Sequence, residues 1–163
     1  MKRLTSIISI LVCVVTAAQT RTYSDNASKT FIIGLEDYFY GEHGSLEVNG
    51  SSVSLNNGMV SAGSAVLEDG ARDCVIGAHD FTGNKAPELV VARRTDGKVT
   101  ANVYTLNDGK WLKIGRVGAA GAAEIRVFRQ VISIRSGEAL YSWTWHGSAF
   151  DFKSSDGSAE PVL

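Results

Sequence analysis

Cysteine, proline and long apolar stretches are all scarce in this sequence, and each scarcity excludes a class of protein. Two cysteines can form at most one internal disulfide, which excludes a small secreted domain held together by several disulfides. Two prolines against 17 glycines exclude a proline-rich linker and indicate many tight turns. The apolar stretch Ile7–Val15 is too short to span a bilayer as a helix, so we expect no membrane span.

An excess of basic residues is also missing. The 163-residue chain has 16 basic and 17 acidic residues, a balance that argues against a nucleic-acid partner. Hydrophobic residues make up 44% and charged residues 20%, which indicates a folded domain rather than long disorder. The length suits one domain and excludes an ordinary (β/α)8 barrel, which needs about 250 residues.

The N-terminus has the pattern of an export signal. Lys2 and Arg3 precede the apolar stretch Ile7–Val15, and small residues follow it up to Ala18. We therefore predict a signal peptide over residues 1–18 and export to the periplasm or the extracellular space.

Cleavage of that signal would leave a single cysteine. Cys74 is followed by Val75 and Ile76, so we expect a buried and unreactive thiol. Attachment of a lipid to Cys13 is the alternative, but Val12 stands where a small residue is usual.

Apolar and polar residues alternate over much of the remaining chain, which is the pattern of β-strands. Asp96-Gly97 and Asp108-Gly109 separate such runs and favour hairpin turns. The pattern predicts one four-stranded meander over residues 72–117 and a second one over residues 124–153.

The N-terminal third is less regular. Short strands are predicted around the turn sequences Asn49-Gly50 and Asn57-Gly58. Residues Leu35–Tyr40 fit either a strand or a helical turn.

These patterns predict an all-β fold made of antiparallel meanders of blade-like four-stranded units. Three such units are too few for a closed propeller, which has about four to eight blades. The alternatives are therefore a small sandwich or barrel and an open propeller-like stack. We expect a single domain over residues 30–153, between a polar, mobile segment at 19–29 and a loose tail at 154–163.

One loop carries oxygen-bearing side chains at a spacing that suits a calcium ion. Asp80, Thr82, Asn84 and Glu88 stand at positions 1, 3, 5 and 9 of this loop. Ca²⁺ binds through such oxygen ligands, and its affinity rises with their charge. Because only two of the four are carboxylates and Lys85 lies beside them, we expect weak calcium binding or none. The alternative is a loop held by side-chain-to-backbone hydrogen bonds.

The same loop resembles the calcium loop of FG-GAP/VCBS-type repeats, which reads roughly Asp-x-Asp-Gly-Asp-Gly-x-x-Asp and continues into Leu-Val-Val. The residues that match are Asp80, Gly83 and Glu88-Leu89-Val90-Val91. The residues that depart are Thr82, Asn84 and Lys85. The resemblance covers about residues 73–117, one unit. It implies a propeller-type blade and a role in adhesion or interaction.

A row of aromatic residues provides a second candidate site. Tyr141, Trp143 and Trp145 alternate along one predicted strand and therefore share one of its faces. Such a row can bind a sugar ring or a partner chain, since each side chain combines a large ring with a polar group. The alternative is that this face belongs to the hydrophobic core.

Catalytic motifs are not recognisable in the sequence. His43, His79 and His146 lack the spacing of metal ligands, and no Gly-x-Ser-x-Gly, phosphate loop or dinucleotide fingerprint occurs. We therefore expect a binding module for a protein or a glycan, not an enzyme, with no cofactor apart from a weakly held Ca²⁺.

Two alternatives to that function stay open. One is a periplasmic inhibitor or immunity-type protein that blocks an enzyme. The other is a hydrolase that would use Glu36, Asp80 or Glu88. The sequence does not determine the ligand or the oligomeric state.

Overall fold

The computed structural model describes residues 31–70, 73–122 and 124–163. Within them the chain is all-β, as predicted, and no helix occurs. None of the described residues forms a helix that could cross a membrane. The predicted signal peptide and the polar segment at 19–29 lie outside the described residues.

The strands follow one another closely along the chain. In order they are β1 (Ile32–Ile33), β2 (Asp37–Tyr40), β3 (His43–Val48), β4 (Ser51–Asn56), β5 (Met59–Ala62), β6 (Ala65–Glu68), β7 (Asp73–His79), β8 (Glu88–Thr95), β9 (Lys98–Asn107), β10 (Lys110–Ala120), β11 (Ile125–Phe128), β12 (Val131–Ser136), β13 (Ala139–Trp145) and β14 (Phe150–Ser154). Residues Leu35–Tyr40 contain β2 rather than a helical turn.

These strands form three sheets. The N-terminal sheet has the order β3-β4-β5-β6, the central sheet β10-β9-β8-β7-β2, and the C-terminal sheet β1-β11-β12-β13-β14. In each sheet four consecutive strands form an antiparallel meander; those of residues 73–120 and 125–154 match the two predicted meanders, whereas β6 of the N-terminal sheet was not predicted. Strand β1 extends the C-terminal sheet by pairing in parallel with β11. Strand β2 extends the central sheet by pairing antiparallel to β7.

Asx-Gly dipeptides make the tight turns of the meanders. Asp96 and Gly97 have φ values of 49° and 73°, and Asp108 and Gly109 have 47° and 73°. Positive φ at both central residues is what a type I′ turn requires, and its twist matches that of the flanking strands. The predicted hairpins at these dipeptides are confirmed.

The three sheets stack, with the central sheet between the other two. Val90 and Ala92 of β8 pack in a core shared with the C-terminal sheet, whereas Leu89 and Val91 pack in a core shared with the N-terminal sheet. Because neighbouring residues of a strand point to opposite faces, a strand covered on both faces needs a continuous apolar run. This explains the sequence Leu89-Val90-Val91-Ala92.

A buried polar cluster fixes the edge strand β6 over β9. The Glu68 carboxylate accepts a hydrogen bond from the Tyr104 hydroxyl at 2.6 Å and another from the Asn102 amide. A guanidinium nitrogen of Arg93 lies 3.5 Å from the same carboxylate. The edge strand of the N-terminal sheet thus lies over β9, and Trp111 of β10 packs at the rim of the core between the two sheets.

We expected a loose tail at residues 154–163; Ser154 is instead the last residue of β14, and later residues contact the C-terminal sheet. The backbone N–H of Ser155 donates to the carbonyl of Leu140 at 2.9 Å. Glu160 accepts a hydrogen bond from the indole N–H of Trp143 at 2.7 Å.

Candidate functional site

The Asp80 loop, residues 80–87, joins β7 to β8 and folds around one carboxylate. Asp80 accepts backbone N–H groups from Gly83 at 2.7 Å, from Asn84 at 3.2 Å and from Lys85 at 2.8 Å. Burial alone would raise the pKa of Asp80, but these donors outweigh burial and hold the pKa below its ordinary value. The carboxylate therefore acts as the centre of a tight turn.

Glu88 closes this loop at the start of β8 and is 1% exposed. Its carboxylate accepts the backbone N–H of Phe81 at 2.9 Å and the hydroxyl of Thr82 at 3.2 Å. Burial raises the pKa of Glu88, although both hydrogen bonds act in the opposite direction. Glu88 thus holds the base of the loop from inside the protein.

The loop brings the predicted calcium ligands together, but their oxygens already have hydrogen-bond donors. Asp80, Thr82 and Glu88 form one hydrogen-bonded cluster, while the Asn84 side chain accepts the backbone N–H of Ala86 at 2.7 Å. Among the residues that the structure describes, no group of three or more Asp, Glu, His or Cys side chains could hold a metal ion. The geometry fits the loop held by side-chain-to-backbone hydrogen bonds. Calcium binding itself stays a prediction.

His79 links this loop to the C-terminal sheet. Its Nε2 lies 2.6 Å from the carbonyl oxygen of Arg129, in the turn between β11 and β12. Its Nδ1 faces Glu36 at 3.8 Å, and its ring packs edge-on against Phe81. The imidazole is buried, and it connects the central sheet to the C-terminal sheet.

The aromatic row of β13 faces the central sheet. Trp143 is 1% exposed and Trp145 is 6% exposed, and Tyr141 is half-buried beside them. Phe150 and Phe152 of β14 pack against these rings. The two indole rings have little surface left for a ligand, so their burial favours the core alternative.

Trp111, at the start of β10, is the one tryptophan that is partly exposed. It lines a cleft of about 620 Å³ between the turn joining β5 to β6 and the turn joining β9 to β10. Ser51, Ser64 and Leu67 contribute to the N-terminal-sheet side, and Lys110 lies beside the indole. This space is called the Trp111 cleft below.

The Trp111 cleft has the dimensions of a ligand site, since such sites usually measure about 300–1,000 Å³. Comparisons with protein-family models, with curated proteins and with solved structures give no match to the chain. The resemblance of residues 73–117 to FG-GAP/VCBS-type repeats therefore stays a prediction. Any functional conclusion has to come from the chain's own geometry.

The sequence reasoning missed Trp111 as a site residue. By pattern alone it is a strand aromatic, no different from Trp143 or Trp145. A signal was nevertheless present: Lys113 lies two positions further on and shares its face, and a cation in that place is unusual for a strand face that is buried.

Proposed function

We propose that this protein is an exported, non-catalytic binding module that holds a protein or a glycan in the Trp111 cleft. The observation that carries the proposal is a partly exposed tryptophan in a cleft of about 620 Å³, left open where the N-terminal sheet ends. A tryptophan so placed offers a large apolar face together with an N–H donor. Aromatic side chains of this kind contribute much of the energy at binding sites.

The lining of the cleft supports binding rather than catalysis. Of the described residues that line it, only Lys110 is charged. General acid–base chemistry needs titratable groups close to the substrate. Two carboxylates with shifted pKa values, Asp80 and Glu88, are instead engaged in hydrogen bonds within the Asp80 loop.

A glycan array tests this proposal. It compares the wild-type protein with Trp111→Ala and with Phe128→Ala, a matched variant that truncates an aromatic ring exposed on the C-terminal sheet. We expect the wild-type protein to bind, Trp111→Ala to lose at least tenfold in affinity, and Phe128→Ala to bind normally. Binding that does not depend on Trp111, or no binding at all, would contradict a glycan-binding cleft.

A second function, inhibition of a partner enzyme, is favoured by the turn between β11 and β12. Phe128 is 68% exposed, and the guanidinium of Arg129 lies 5.1 Å from the centre of its ring. Protein–protein hot spots are enriched in aromatic residues and arginine. An enzyme that co-purifies with the wild-type protein and with Trp111→Ala, but not with Phe128→Ala, would support this function over the first.

A further inference from the structure

One face of β10 lies along the edge of the N-terminal sheet, where Trp111 packs at the rim of the shared core and Lys113 and Arg116 are exposed. Trp111, Lys113 and Arg116 are opposite Leu106, Tyr104 and Asn102 in the register with β9. Tyr104 and Asn102 point toward the N-terminal sheet, because both contact Glu68 of β6. Trp111, Lys113 and Arg116 therefore share that face, and we call the three residues the β10 shelf.

A second cleft lies at the far end of the β10 shelf. It measures about 400 Å³ and is lined by Arg93, Lys98, Thr100 and Arg116 among others. Trp111 opens into the first cleft and Arg116 into the second. The two clefts therefore lie at positions of β10 that are about 16 Å apart, at the usual rise per residue.

The charge of this surface is predominantly positive. Of the described residues that line the two clefts, Arg93, Lys98, Lys110 and Arg116 are basic and only Asp96 is acidic, and the Arg93 guanidinium faces the Glu68 carboxylate. Lys113 adds a further exposed cation between the clefts. The whole chain has a net charge of −1, so the basic residues are concentrated here against the overall balance.

The edge of β10 is poorly suited to pairing with a peptide strand. It carries Lys110, Lys113 and Arg116, and its register with β9 shifts between Lys113 and Gly115. Lysines and bulges are the devices by which sheet edges avoid pairing with other strands. A ligand of this surface would thus be recognised by side chains, which favours a glycan over an extended peptide.

We propose that the β10 shelf binds an acidic glycan, with one sugar ring on Trp111 and anionic groups on Lys113, Arg116 and Lys98. This inference rests on the proposed function and adds the chemical class of the ligand. Arginine and lysine bind carboxylate and sulfate through charge-assisted hydrogen bonds, and the indole covers the apolar face of a sugar. A uronate or a sulfate ester supplies the anionic group, and the probes below distinguish these two sources.

Calorimetric titration of the full chain tests this inference with four probes: hexagalacturonate, a sulfated hexasaccharide, a neutral hexasaccharide and hexaglutamate. A double variant, Lys113→Gln with Arg116→Gln, removes two cations from the shelf. Its matched control, Arg126→Gln with Arg135→Gln, removes two cations from the outer face of the C-terminal sheet.

We expect one or both acidic glycans to bind more tightly than the neutral glycan and hexaglutamate. The shelf double variant should weaken that binding about tenfold, since two exposed ion pairs together are worth roughly that factor. The control double variant should leave it unchanged, and Trp111→Ala should abolish it.

Four results would overturn the inference. Equal weakening by both double variants would show non-specific attraction of charge, and hexaglutamate binding as tightly as the glycans would show an acidic peptide site. If the neutral glycan binds as tightly as the acidic ones and depends on Trp111, the acidic class is wrong but the Trp111 cleft stands. If no probe responds to Trp111→Ala, the proposed glycan function fails as well.

Discussion

The structure shifts the pKa values of two carboxylates at the Asp80 loop in opposite directions. Asp80 receives three backbone N–H groups at its surface position, so its ionised form is favoured. Glu88 lies inside the protein, where burial disfavours its ionised form and raises its pKa. The direction of each pKa shift determines whether the free energy of unfolding rises or falls with pH.

Glu88→Gln tests that sign. A raised pKa means that Glu88 stabilises the fold below its ordinary value of 4.5, and that this contribution is lost as the pH rises through its pKa in the folded state. The free energy of unfolding of the wild-type protein, relative to Glu88→Gln, should therefore increase as the pH falls from 7 toward 4.5. Urea unfolding at a series of pH values measures it, and a constant difference would contradict the account.

Cys74 should be inert in the folded protein. Burial, and secondly the negative charge of Glu68, raises the pKa of its thiol to about 12, so almost no thiolate exists at neutral pH. In a chain carrying Cys13→Ser, a thiol reagent such as DTNB should react only as fast as the protein unfolds. The same chain in concentrated urea provides the control, and rapid reaction under native conditions would be the opposite result.

At the scale of elements, the turns were easier to predict than the strand partners. Asx-Gly dipeptides at residues 96–97 and 108–109 determine hairpins through local conformation, so sequence reveals them. Strand β6 was missed because Ala65–Glu68 is short and has no polar–apolar alternation. The parallel pairing of β1 with β11 joins segments far apart in the chain, which no local pattern can show.

The candidate site was predicted less well than the fold, for a related reason. Trp111 and Trp143 both lie in strands with aromatic or apolar neighbours, and alternation reveals which residues share a face but not what covers that face. The central sheet covers Trp143, whereas Trp111 packs only at the rim of the core shared with the N-terminal sheet and stays partly exposed. The difference in burial between the two tryptophans depends on how far each outer sheet extends across the central sheet, which the local sequence pattern does not show.

The two tryptophans should therefore differ in their effect on stability. Trp143→Ala should lower the free energy of unfolding by about 3–5 kcal/mol, because it opens a cavity in the core. It also removes the indole N–H that donates to Glu160. Trp111→Ala should cost about 1–2 kcal/mol, because its ring is only partly buried. Chemical unfolding measures both, and equal losses would show that the burial is misassigned.

The melting midpoint of the protein should not depend on calcium binding in the Asp80 loop. Its carboxylates already accept protein donors, and a Ca²⁺ ion would have to replace them. We expect the same melting midpoint in excess Ca²⁺ and in excess chelator. A rise of several degrees with Ca²⁺, abolished by Asp80→Ala, would instead support a metal site and the resemblance to FG-GAP/VCBS-type repeats.

At the scale of the whole molecule, sheets of unequal width leave open the surface that we propose as the binding site. The central sheet has five strands and the N-terminal sheet four, and β6 is fixed over β9 by the Glu68 cluster. On the extra strand, β10, Lys113 and Arg116 are exposed, whereas Trp111 packs against the rim of the core shared with the N-terminal sheet and stays partly exposed. The same stacking that buries Trp143 and Trp145 thus leaves Trp111 available to a ligand.

Acrylamide quenching of tryptophan emission, with and without saturating hexagalacturonate, tests this claim most directly. We predict that the accessible emission of the free protein comes from Trp111, that the ligand protects it from acrylamide, and that Trp111→Phe shows neither the accessible component nor the protection. An accessible component that persists in Trp111→Phe, or a Trp111 that stays equally quenchable when the ligand is bound, would contradict the account.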